Sequence, residues 1–218
     1  MHYFSGIDAI FVINLPERTD RRTHMERQFA RLGMANDPRV RFFPAVKPAD
    51  SGPCDSRGAN GVYLSNLKIL GELANGFDRV IVLEDDCLLS RRMTSDAFDT
   101  DADLTYGGVF HTEPTESKGP EEYGAHCIAY SAGVRPQLVK YLQNSYDRGP
   151  GGQRYIAPLD GQIVDFRKKH PEFSVIIHDF AYQMPSDSDI SPREGEAGAI
   201  RPVQRLVRAL KTGWLYYK

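Results

Sequence analysis

The apolar positions along the chain predict an alternating series of strands and helices. Two runs, Ala9–Asn14 and Val80–Leu83, are apolar at nearly every position, which is typical of strands buried on both faces of a parallel sheet. Between them, Glu17–Leu32 and Gly61–Asn75 carry apolar residues at helical spacing, and a glycine follows each segment. Val40–Val46 predicts a strand between the two helices. This order of strand, helix, strand, helix and strand predicts a right-handed, doubly wound α/β sheet.

The second half of the chain predicts further elements of the same kind. Leu88–Thr105 is irregular and acidic, with a short helix expected around Arg92–Phe98. The remaining predicted strands are Leu104–Phe110, Ala125–Ser131 and Phe173–Ile177, and the remaining predicted helices are Arg135–Tyr146 and Asp160–Lys169. Residues 184–200 have almost no apolar content, which is typical of a flexible segment or lid.

The composition fits one globular domain in a reducing compartment. The chain has 218 residues, 41% of them apolar, and a net charge of −2, so its overall charge offers no attraction for nucleic acid. Its cysteines, Cys54, Cys87 and Cys127, are odd in number and follow neither a disulfide nor a metal-binding spacing. The N-terminus carries no basic leader, and no stretch reaches the roughly 18 apolar residues of a membrane span. We therefore expect a cytoplasmic protein.

Three adjacent carboxylates, Glu84, Asp85 and Asp86, follow the central apolar strand directly. Parallel sheets bind their ligands outside the carboxyl ends of their strands. Carboxylates this close repel one another, and a cation among them relieves the repulsion; their oxygen atoms suit Mg²⁺ or Mn²⁺. Glu84 and Asp86, two positions apart, can both reach one ion from a strand that is ending. The alternative is a solvated acidic loop that binds nothing.

A second polar cluster lies at the junction between the first strand and the first helix. It contains Asn14, Arg18, Arg21 and Arg22. A helix N-terminus at the carboxyl edge of a parallel strand is a natural anion site, and arginines there can hold phosphates or stack on a base. The alternative is that these arginines are exposed helix residues, as most arginines are.

Five short motifs occur in an order that resembles one enzyme family. They are INLPERTDRR at Ile13–Arg22, G-x-x-LS at Gly61–Ser65, LEDD at Leu83–Asp86, PLD at Pro158–Asp160 and SDI at Ser188–Ile190. Together they resemble glycosyltransferase family 25, the group that contains lipopolysaccharide-biosynthesis sugar transferases and the collagen galactosyltransferases. The chain departs from that family at Asn66, where the family usually has histidine after LS, and in the strand-like stretch GAHCIAYS at Gly124–Ser131.

The resemblance implies a GT-A-like catalytic domain in residues 1–183, an α/β nucleotide-sugar-binding sandwich with a mostly parallel central sheet. It implies a UDP-sugar donor and a Mn²⁺ or Mg²⁺ ion. Glu84 and Asp86 would then take the part of the family's DxD motif, and Asp85 would contact the ribose or hold the ion through water. The residues that would bind the nucleotide are Asn14, Leu15, Arg18, Arg21, Arg22, Ser65 and Asp85.

The resemblance also implies transfer of a hexose, with galactose as the first choice, to a glycan or lipid-linked acceptor. An inverting transfer requires a carboxylate that faces the acceptor hydroxyl. Asp160, in the PLD turn, is the first candidate for this base, and its alternative role is that of a helix N-cap. Asp189 is the second candidate, on a segment that can order over bound substrate. Because Asn66 replaces the family histidine, the alternative function is a non-catalytic sugar-nucleotide or glycan-binding homologue.

Residues 201–218 predict a basic amphipathic helix. Arg201, Arg205, Arg208 and Lys211 recur every three to four residues beside apolar side chains, and Trp214 follows them. This composition is typical of helices that lie on anionic membrane surfaces. We expect peripheral contact with the inner face of the membrane, whereas the alternative is a helix docked on the catalytic domain with its basic face in water.

Overall fold

The computed structural model describes residues 3–90, 93, 96–98, 100–111, 122–148 and 156–184. The strands are β1 (Ala9–Asn14), β2 (Val40–Pro44), β3 (Arg79–Glu84), β4 (Cys87–Leu89), β5 (Leu104–Tyr106), β6 (Phe110–His111), β7 (Glu122–Tyr123), β8 (Cys127–Ser131), β9 (Val175–Ile177) and β10 (Ala181–Gln183). The helices are α1 (Thr19–Arg31), α2 (Arg57–Lys68), α3 (Arg135–Arg148) and α4 (Leu159–Lys169), and a π-helical turn, Ile69–Leu73, continues α2. The helix predicted around Arg92–Phe98 falls partly outside the described residues, and residues 96–98 form a turn.

Six strands form the central sheet in the order β2–β1–β3–β8–β5–β9. β1 pairs in parallel with β2 and β3, and β5 pairs in parallel with β9. β8 is antiparallel to both of its neighbours, β3 and β5, so it runs against the other five strands of this sheet. The predicted α/β fold with a mostly parallel central sheet is therefore confirmed. The carboxyl ends of β1, β2 and β3 meet at one edge, where a parallel sheet binds its ligands.

The apolar runs of β1 and β3 alternate between two hydrophobic layers. Phe11 and Val82 belong to the layer that includes residues of α2, α3 and α4. Val12 and Leu83 belong to the layer that includes Phe29 of α1 and the strand β4. Because successive side chains of a strand point to opposite faces, each strand contributes to both layers. Helices thus cover both faces of the sheet, and every residue of β1 is buried.

Both of the first two helices begin at residues other than the predicted ones. α1 begins at Thr19, later than predicted. α2 begins at Arg57, before the predicted start at Gly61, because the hydroxyl of Ser56 accepts a hydrogen bond from the Ala59 backbone N–H at 3.1 Å and caps the helix. Apolar spacing marks only the part of a helix that packs on the core, whereas this cap lies in the polar stretch before it.

Close packing of two backbones divides the strand predicted over Leu104–Phe110 into β5 and β6. A Cβ atom on Gly108 would overlap the carbonyl group of Ala181, so only glycine fits at this position. The contact lies where β10 pairs with β4 in a two-stranded antiparallel ribbon. Neither strand of the ribbon is predicted from the sequence, since each has only three residues. The ribbon places Gln183 beside Cys87, next to the three carboxylates.

Several expectations concern the chain as a whole. The three cysteines are free, which agrees with the absence of a disulfide spacing, and all three are buried. No helix among the described residues is long and apolar enough to cross a membrane. Apart from Met184, the predicted segments 184–200 and 201–218 lie outside the described residues, so their boundaries with the domain at 1–183 stay predictions.

Candidate active site

The three carboxylates lie where the central strand leaves the sheet. β3 ends at Glu84, and Asp85 and Asp86 form the turn that leads into β4. The chain emerges here from a fully buried run, Val80–Leu83, at the carboxyl edge of the parallel part of the sheet. Asp85 and Asp86 are still buried, with 6% and 7% of their surface exposed. Buried carboxylates need partners, and the partners differ among the three.

Asp85 is held inside the protein by two side chains. Asn14 Nδ2 donates to its Oδ2 at 2.8 Å, and Arg21 Nη1 donates to its Oδ1 at 2.8 Å. Asn14 ends β1, the strand beside β3, and Arg21 lies in the first turn of α1. Arg21 is itself buried, and its Nη1 lies 3.8 Å from Oδ2 of Asp86. One positive charge therefore lies inside the acidic cluster as a part of the fold.

Asp86 has one carboxylate oxygen bound and one open. Gln183 Nε2 donates to Oδ2 at 3.4 Å, and the backbone N–H of Met184 donates to the Asp86 carbonyl at 2.8 Å. Oδ1 is buried and has no hydrogen-bond partner among the described residues. Burial raises the pKa of Asp86, and the charge of Arg21 opposes that rise. A buried carboxylate oxygen without a partner is a position for a ligand that the fold itself does not supply.

Glu84 is surrounded by other carboxylates. Burial, together with the charges of Asp86, Asp160 and Asp85, raises its pKa to about 8. Burial also raises the pKa of Asp160, which lies in the first turn of α4. Asp160 and Glu84 line one cavity, so α4 brings this turn towards the end of β3. Burial and the neighbouring carboxylates therefore favour the protonated form of Glu84 when no cation is bound nearby.

Two adjoining cavities open at this edge of the sheet. The larger one, of about 550 Å³, includes the three carboxylates and an apolar wall. That wall consists of Ile13, Leu15, Ala45, Val46, Pro48 and Val62. The smaller one, of about 160 Å³, includes Asp160 and His126. Glu84 and Gln183 line both cavities, so they form part of the boundary between them.

Positive charge lines another part of the larger cavity. The first residues of α2 belong to its wall, with the exposed side chain of Arg57 among them. A helix N-terminus carries partial positive charge because its first backbone N–H groups have no helical partner. Lys47 also lines the cavity, and its Nζ pairs with Oε1 of Glu17 at 2.5 Å. Glu17 also lines the cavity and neutralises Lys47, so the positive charge in this wall that has no carboxylate partner among the described residues is that of Arg57 and the α2 N-terminus.

The structure places Arg21, and neither of the other two candidate arginines, against the carboxylates. Arg18 pairs with Asp20 at 2.9 Å, and Arg22 pairs with Glu26 at 2.9 Å. Neither Arg18 nor Arg22 lines the larger cavity. Because successive helix residues are rotated by about 100°, Arg22 cannot share the inward direction of Arg21. Arg22 also lies over the ring of Phe42, with 4.2 Å between its guanidinium carbon and the ring centroid.

Two other predicted nucleotide-binding residues differ in their exposure to the larger cavity. Leu15 belongs to its apolar wall. Ser65 lies fully buried in α2, where its hydroxyl donates to the Gly61 carbonyl at 2.6 Å and accepts from the Val46 N–H at 2.9 Å. Since Val46 is a wall residue, Ser65 supports the wall from behind and does not face the cavity.

The two candidates for the catalytic base have different outcomes. Asp160 is not the N-cap of α4, because Pro158 occupies that position. Its Oδ1 accepts a hydrogen bond from the Gly161 N–H at 2.8 Å, within the first turn. Asp160 lines the smaller cavity together with Glu84. Asp189 lies outside the described residues.

Gln183 is a site residue that sequence reasoning misses. It precedes the polar segment predicted as a lid. The short stretch AYQ around it belongs to no motif, so the sequence does not indicate a functional role. His126, in the wall of the smaller cavity, is buried: its Nε2 lies 3.2 Å from the Ala181 carbonyl oxygen, and burial lowers its pKa. Asn66 is buried, donates to the Val62 carbonyl at 3.0 Å and lines neither cavity.

The acidic residues fit a divalent cation as a partial set of ligands. Among the described residues, no group of three histidine, cysteine or acidic side chains converges on one metal position. Asp85 already accepts hydrogen bonds from Arg21 and Asn14. The carboxylates that remain as ligands for a cation are Glu84 and Asp86, the latter through its open Oδ1. Mg²⁺ and similar ions are commonly held by one or two carboxylates, with waters and substrate phosphates completing the shell. The site meets that requirement.

Comparisons with known proteins give structural similarities only. The sequence matches no protein-family model and no curated protein. The structure is similar to a glycosyltransferase involved in the glycosylation of the major capsid of PBCV-1, with 11% identity over 78% of this chain and 81% of that chain and a TM-score of 0.48. It is similar to the CTP:phosphocholine cytidylyltransferase LicC from Streptococcus pneumoniae, with 17% identity over 93% of this chain and 79% of that chain and a TM-score of 0.45. A mutant Drosophila β-1,4-galactosyltransferase 7 in complex with manganese, UDP-Gal and xylobiose is also similar, with 10% identity over 89% of this chain and 69% of that chain and a TM-score of 0.42.

Proposed function

We propose that this protein is a glycosyltransferase that moves a hexose from a UDP-sugar with the help of a divalent cation. The observation that carries the proposal is Oδ1 of Asp86, which is buried and has no hydrogen-bond partner among the described residues. Asp86 belongs to the wall of the larger cavity, beside a second carboxylate, Glu84. Two carboxylates with an open oxygen suit a cation better than a neutral ligand.

The larger cavity supports a nucleotide as the part of the donor that is recognised. Its volume of about 550 Å³ lies within the range of about 300–1,000 Å³ for small-molecule sites. The end of β1, the loops after β1 and β2, and α2 supply the apolar wall, on which a base can pack. The carboxylates lie on another side of the same cavity, where a cation would meet the phosphates. One cavity thus offers surfaces for both ends of a nucleoside diphosphate.

The residues around the carboxylates orient them before any ligand binds. Hydrogen bonds from Asn14 and Arg21 fix Asp85, the middle residue of the turn. This leaves Glu84 and Asp86, on either side of it, to face the cavities. A divalent cation held by these two residues would stabilise the negative charge that develops on the leaving diphosphate.

Asp160 is the residue that we assign as general base. In the transfer, the acceptor oxygen forms a bond with the anomeric carbon, the bond from that carbon to the diphosphate oxygen breaks, and the hydroxyl proton passes to the Asp160 carboxylate. Burial raises the pKa of Asp160, which makes it a stronger proton acceptor than an exposed aspartate. Its place in the smaller cavity, next to Glu84, supports this role. Asp189 stays the second candidate.

The order of the five motifs supports membership of glycosyltransferase family 25. On this basis we propose galactose or another hexose as the transferred sugar and a glycan or lipid-linked saccharide as the acceptor, as in lipopolysaccharide biosynthesis. We also propose a cytoplasmic location with peripheral contact between residues 201–218 and the inner face of the membrane. The composition of these residues supports that part of the proposal.

A donor-turnover assay tests the proposed reaction. The protein is incubated with UDP-galactose, UDP-glucose or CTP, each with and without Mn²⁺, and release of UDP or diphosphate is followed by NMR. We expect Mn²⁺-dependent release of UDP from one of the UDP-hexoses, by slow transfer to water. Turnover of CTP alone would contradict a sugar transferase and indicate a nucleotidyltransferase. Binding of UDP without release, even with added saccharide acceptors, would indicate the non-catalytic alternative.

A further inference from the structure

The side chain of Gln28 forms hydrogen bonds that a neighbouring strand normally supplies. Gln28 lies on α1, and only 2% of its surface is exposed. Its Nε2 donates to the Cys87 carbonyl oxygen at 2.7 Å, and its Oε1 accepts from the Leu89 backbone N–H at 2.7 Å. Residues two apart in a strand direct their backbone polar groups to the same side. The Gln28 carboxamide therefore satisfies one backbone C=O and one backbone N–H along one edge of β4.

The other edge of β4 is paired with β10, which places Gln183 opposite Cys87. A second side chain of α1 joins Gln28 on its side of the strand, since Arg31 Nη2 donates to the Leu89 carbonyl oxygen. His24 also belongs to this group, with its Nε2 3.0 Å from Gln28 Nε2. β4 is thus held on one side by a strand and on the other by polar side chains of a helix.

This arrangement fixes the chain on both sides of Asp86. The residue before it, Asp85, accepts a hydrogen bond from Arg21. The residue after it, Cys87, accepts one from Gln28. Arg21 and Gln28 are two helical turns apart, so they share one face of α1. A single rigid helix therefore anchors the backbone around the carboxylate whose Oδ1 has no partner among the described residues.

We propose that Gln28 is a positioning residue for the cation and diphosphate site. It lines neither cavity, so it acts through β4 and not by touching the ligand. This inference rests on the proposed function, because it assigns Gln28 to the geometry of the same carboxylates. Polar residues behind the ligands of a metal set its affinity by fixing ligand orientation, and their loss typically costs about 10–100-fold in metal affinity.

Two substitutions separate the two hydrogen bonds of Gln28. Gln28→Met keeps the length of the side chain and removes both bonds. Gln28→Glu keeps an acceptor for the Leu89 N–H and loses the donor to Cys87. The matched control is Phe29→Leu, a change at the next residue of α1, which is buried in the apolar layer and makes no part of the contact with β4 backbone groups.

The experiment measures the Mn²⁺ dissociation constant in the presence of UDP by electron paramagnetic resonance, together with the thermal midpoint of each protein. We expect Gln28→Met and Gln28→Glu to raise the dissociation constant about tenfold or more and to alter the spectrum of bound Mn²⁺. Phe29→Leu should lower the midpoint while it leaves the dissociation constant within about twofold, because it removes apolar packing and no hydrogen bond to the β4 backbone.

Each other outcome overturns the inference in a recognisable way. A folded Gln28→Met protein that binds Mn²⁺ and UDP like the wild type shows that the side chain does not position the site, and Gln28→Glu decides if Gln28→Met does not fold. An equal loss of affinity in Phe29→Leu would show a general effect of stability. A wild-type protein that binds no Mn²⁺ in the presence of UDP would overturn the proposed function itself, and this inference with it.

Discussion

Arg21 Nη1 lies 2.8 Å from Oδ1 of Asp85, and both side chains are buried. This pair divides the three adjacent carboxylates into two kinds. Asp85 is neutralised within the fold, whereas Glu84 and Asp86 are left to face the cavities.

Replacing Arg21 tests the structural part of this division. In Arg21→Met, Asp85 becomes a buried charge without its counterion, which typically costs about 3–5 kcal/mol. We expect a loss of that size in the free energy of unfolding, measured with urea. The matched control is Arg22→Ala, the next residue, whose exposed pair with Glu26 and contact with the Phe42 ring should together contribute no more than about 1.5 kcal/mol. Equal stability of the two variants would show that the buried pair does not hold the turn.

Much of the fold is predictable from the sequence because its parallel half is built from long apolar runs. The runs of β1 and β3 are apolar on both faces. They therefore predict a parallel sheet that is covered by helices on both sides. The ribbon of β4 and β10 is not predictable in this way. Its strands are short, and they pair across about ninety residues of chain only because Gly108 admits the Ala181 backbone.

The acidic residues of the candidate site are predictable from the sequence, whereas its arginine and glutamine residues are less so. The position of the carboxylates after a buried strand is enough to indicate a ligand edge. The sequence does not show which of the three neighbouring arginines contacts the carboxylates. The orientation of α1 in the structure places Arg21 there. Gln28 and Gln183 carry no motif. Gln28 bonds the backbone of β4, and Gln183 reaches the Asp86 side chain from β10, and neither strand is predicted from the sequence. Ser65 belongs to a motif yet acts from behind the cavity wall.

Glu84→Gln tests the electrostatics of the acidic cluster without added metal. Glu84 has an ordinary pKa of 4.5 when unfolded and about 8 when folded. Between these values Glu84 binds more protons in the folded protein than in the unfolded chain, so its contribution to the free energy of unfolding falls as the pH rises from 4.5 to 8. Glu84→Gln lacks this term and should gain stability over the wild type as the pH rises. Urea unfolding across this pH range measures the difference, and parallel curves would show that Glu84 is not perturbed.

Asp160→Asn separates catalysis from binding. Loss of a general base typically lowers kcat about 10²–10⁴-fold. Affinity for UDP with Mn²⁺ should stay within about twofold, because the proposed cation ligands are Glu84 and Asp86. Steady-state kinetics and calorimetry on the same preparation give both quantities. A variant with wild-type kcat would remove Asp160 from the reaction and leave Asp189 as the candidate base.

Removal of the C-terminal residues tests the proposed membrane contact. A chain that ends at Ala199 lacks the basic positions from Arg201 onward, each worth about 1 kcal/mol near an anionic surface. We expect full-length protein to sediment with anionic vesicles at low salt and to be released at high salt, because salt screens the attraction. The shortened chain should stay in the supernatant while it keeps its thermal midpoint. Equal partitioning of the two proteins would contradict the membrane proposal, and unfolding of the shortened chain would show that the helix belongs to the core.

The central claim is that the open Oδ1 of Asp86 binds a cation, and that this cation binds the donor diphosphate. The most direct measurement is calorimetric titration of UDP, with and without Mn²⁺, into the wild type, Asp86→Asn and the exposed-site control Asp101→Asn. We predict that Mn²⁺ tightens UDP binding to the wild type and to Asp101→Asn by about tenfold or more, and that Asp86→Asn folds but loses this gain. Asp86→Asn that binds UDP and Mn²⁺ as tightly as the wild type would contradict the account.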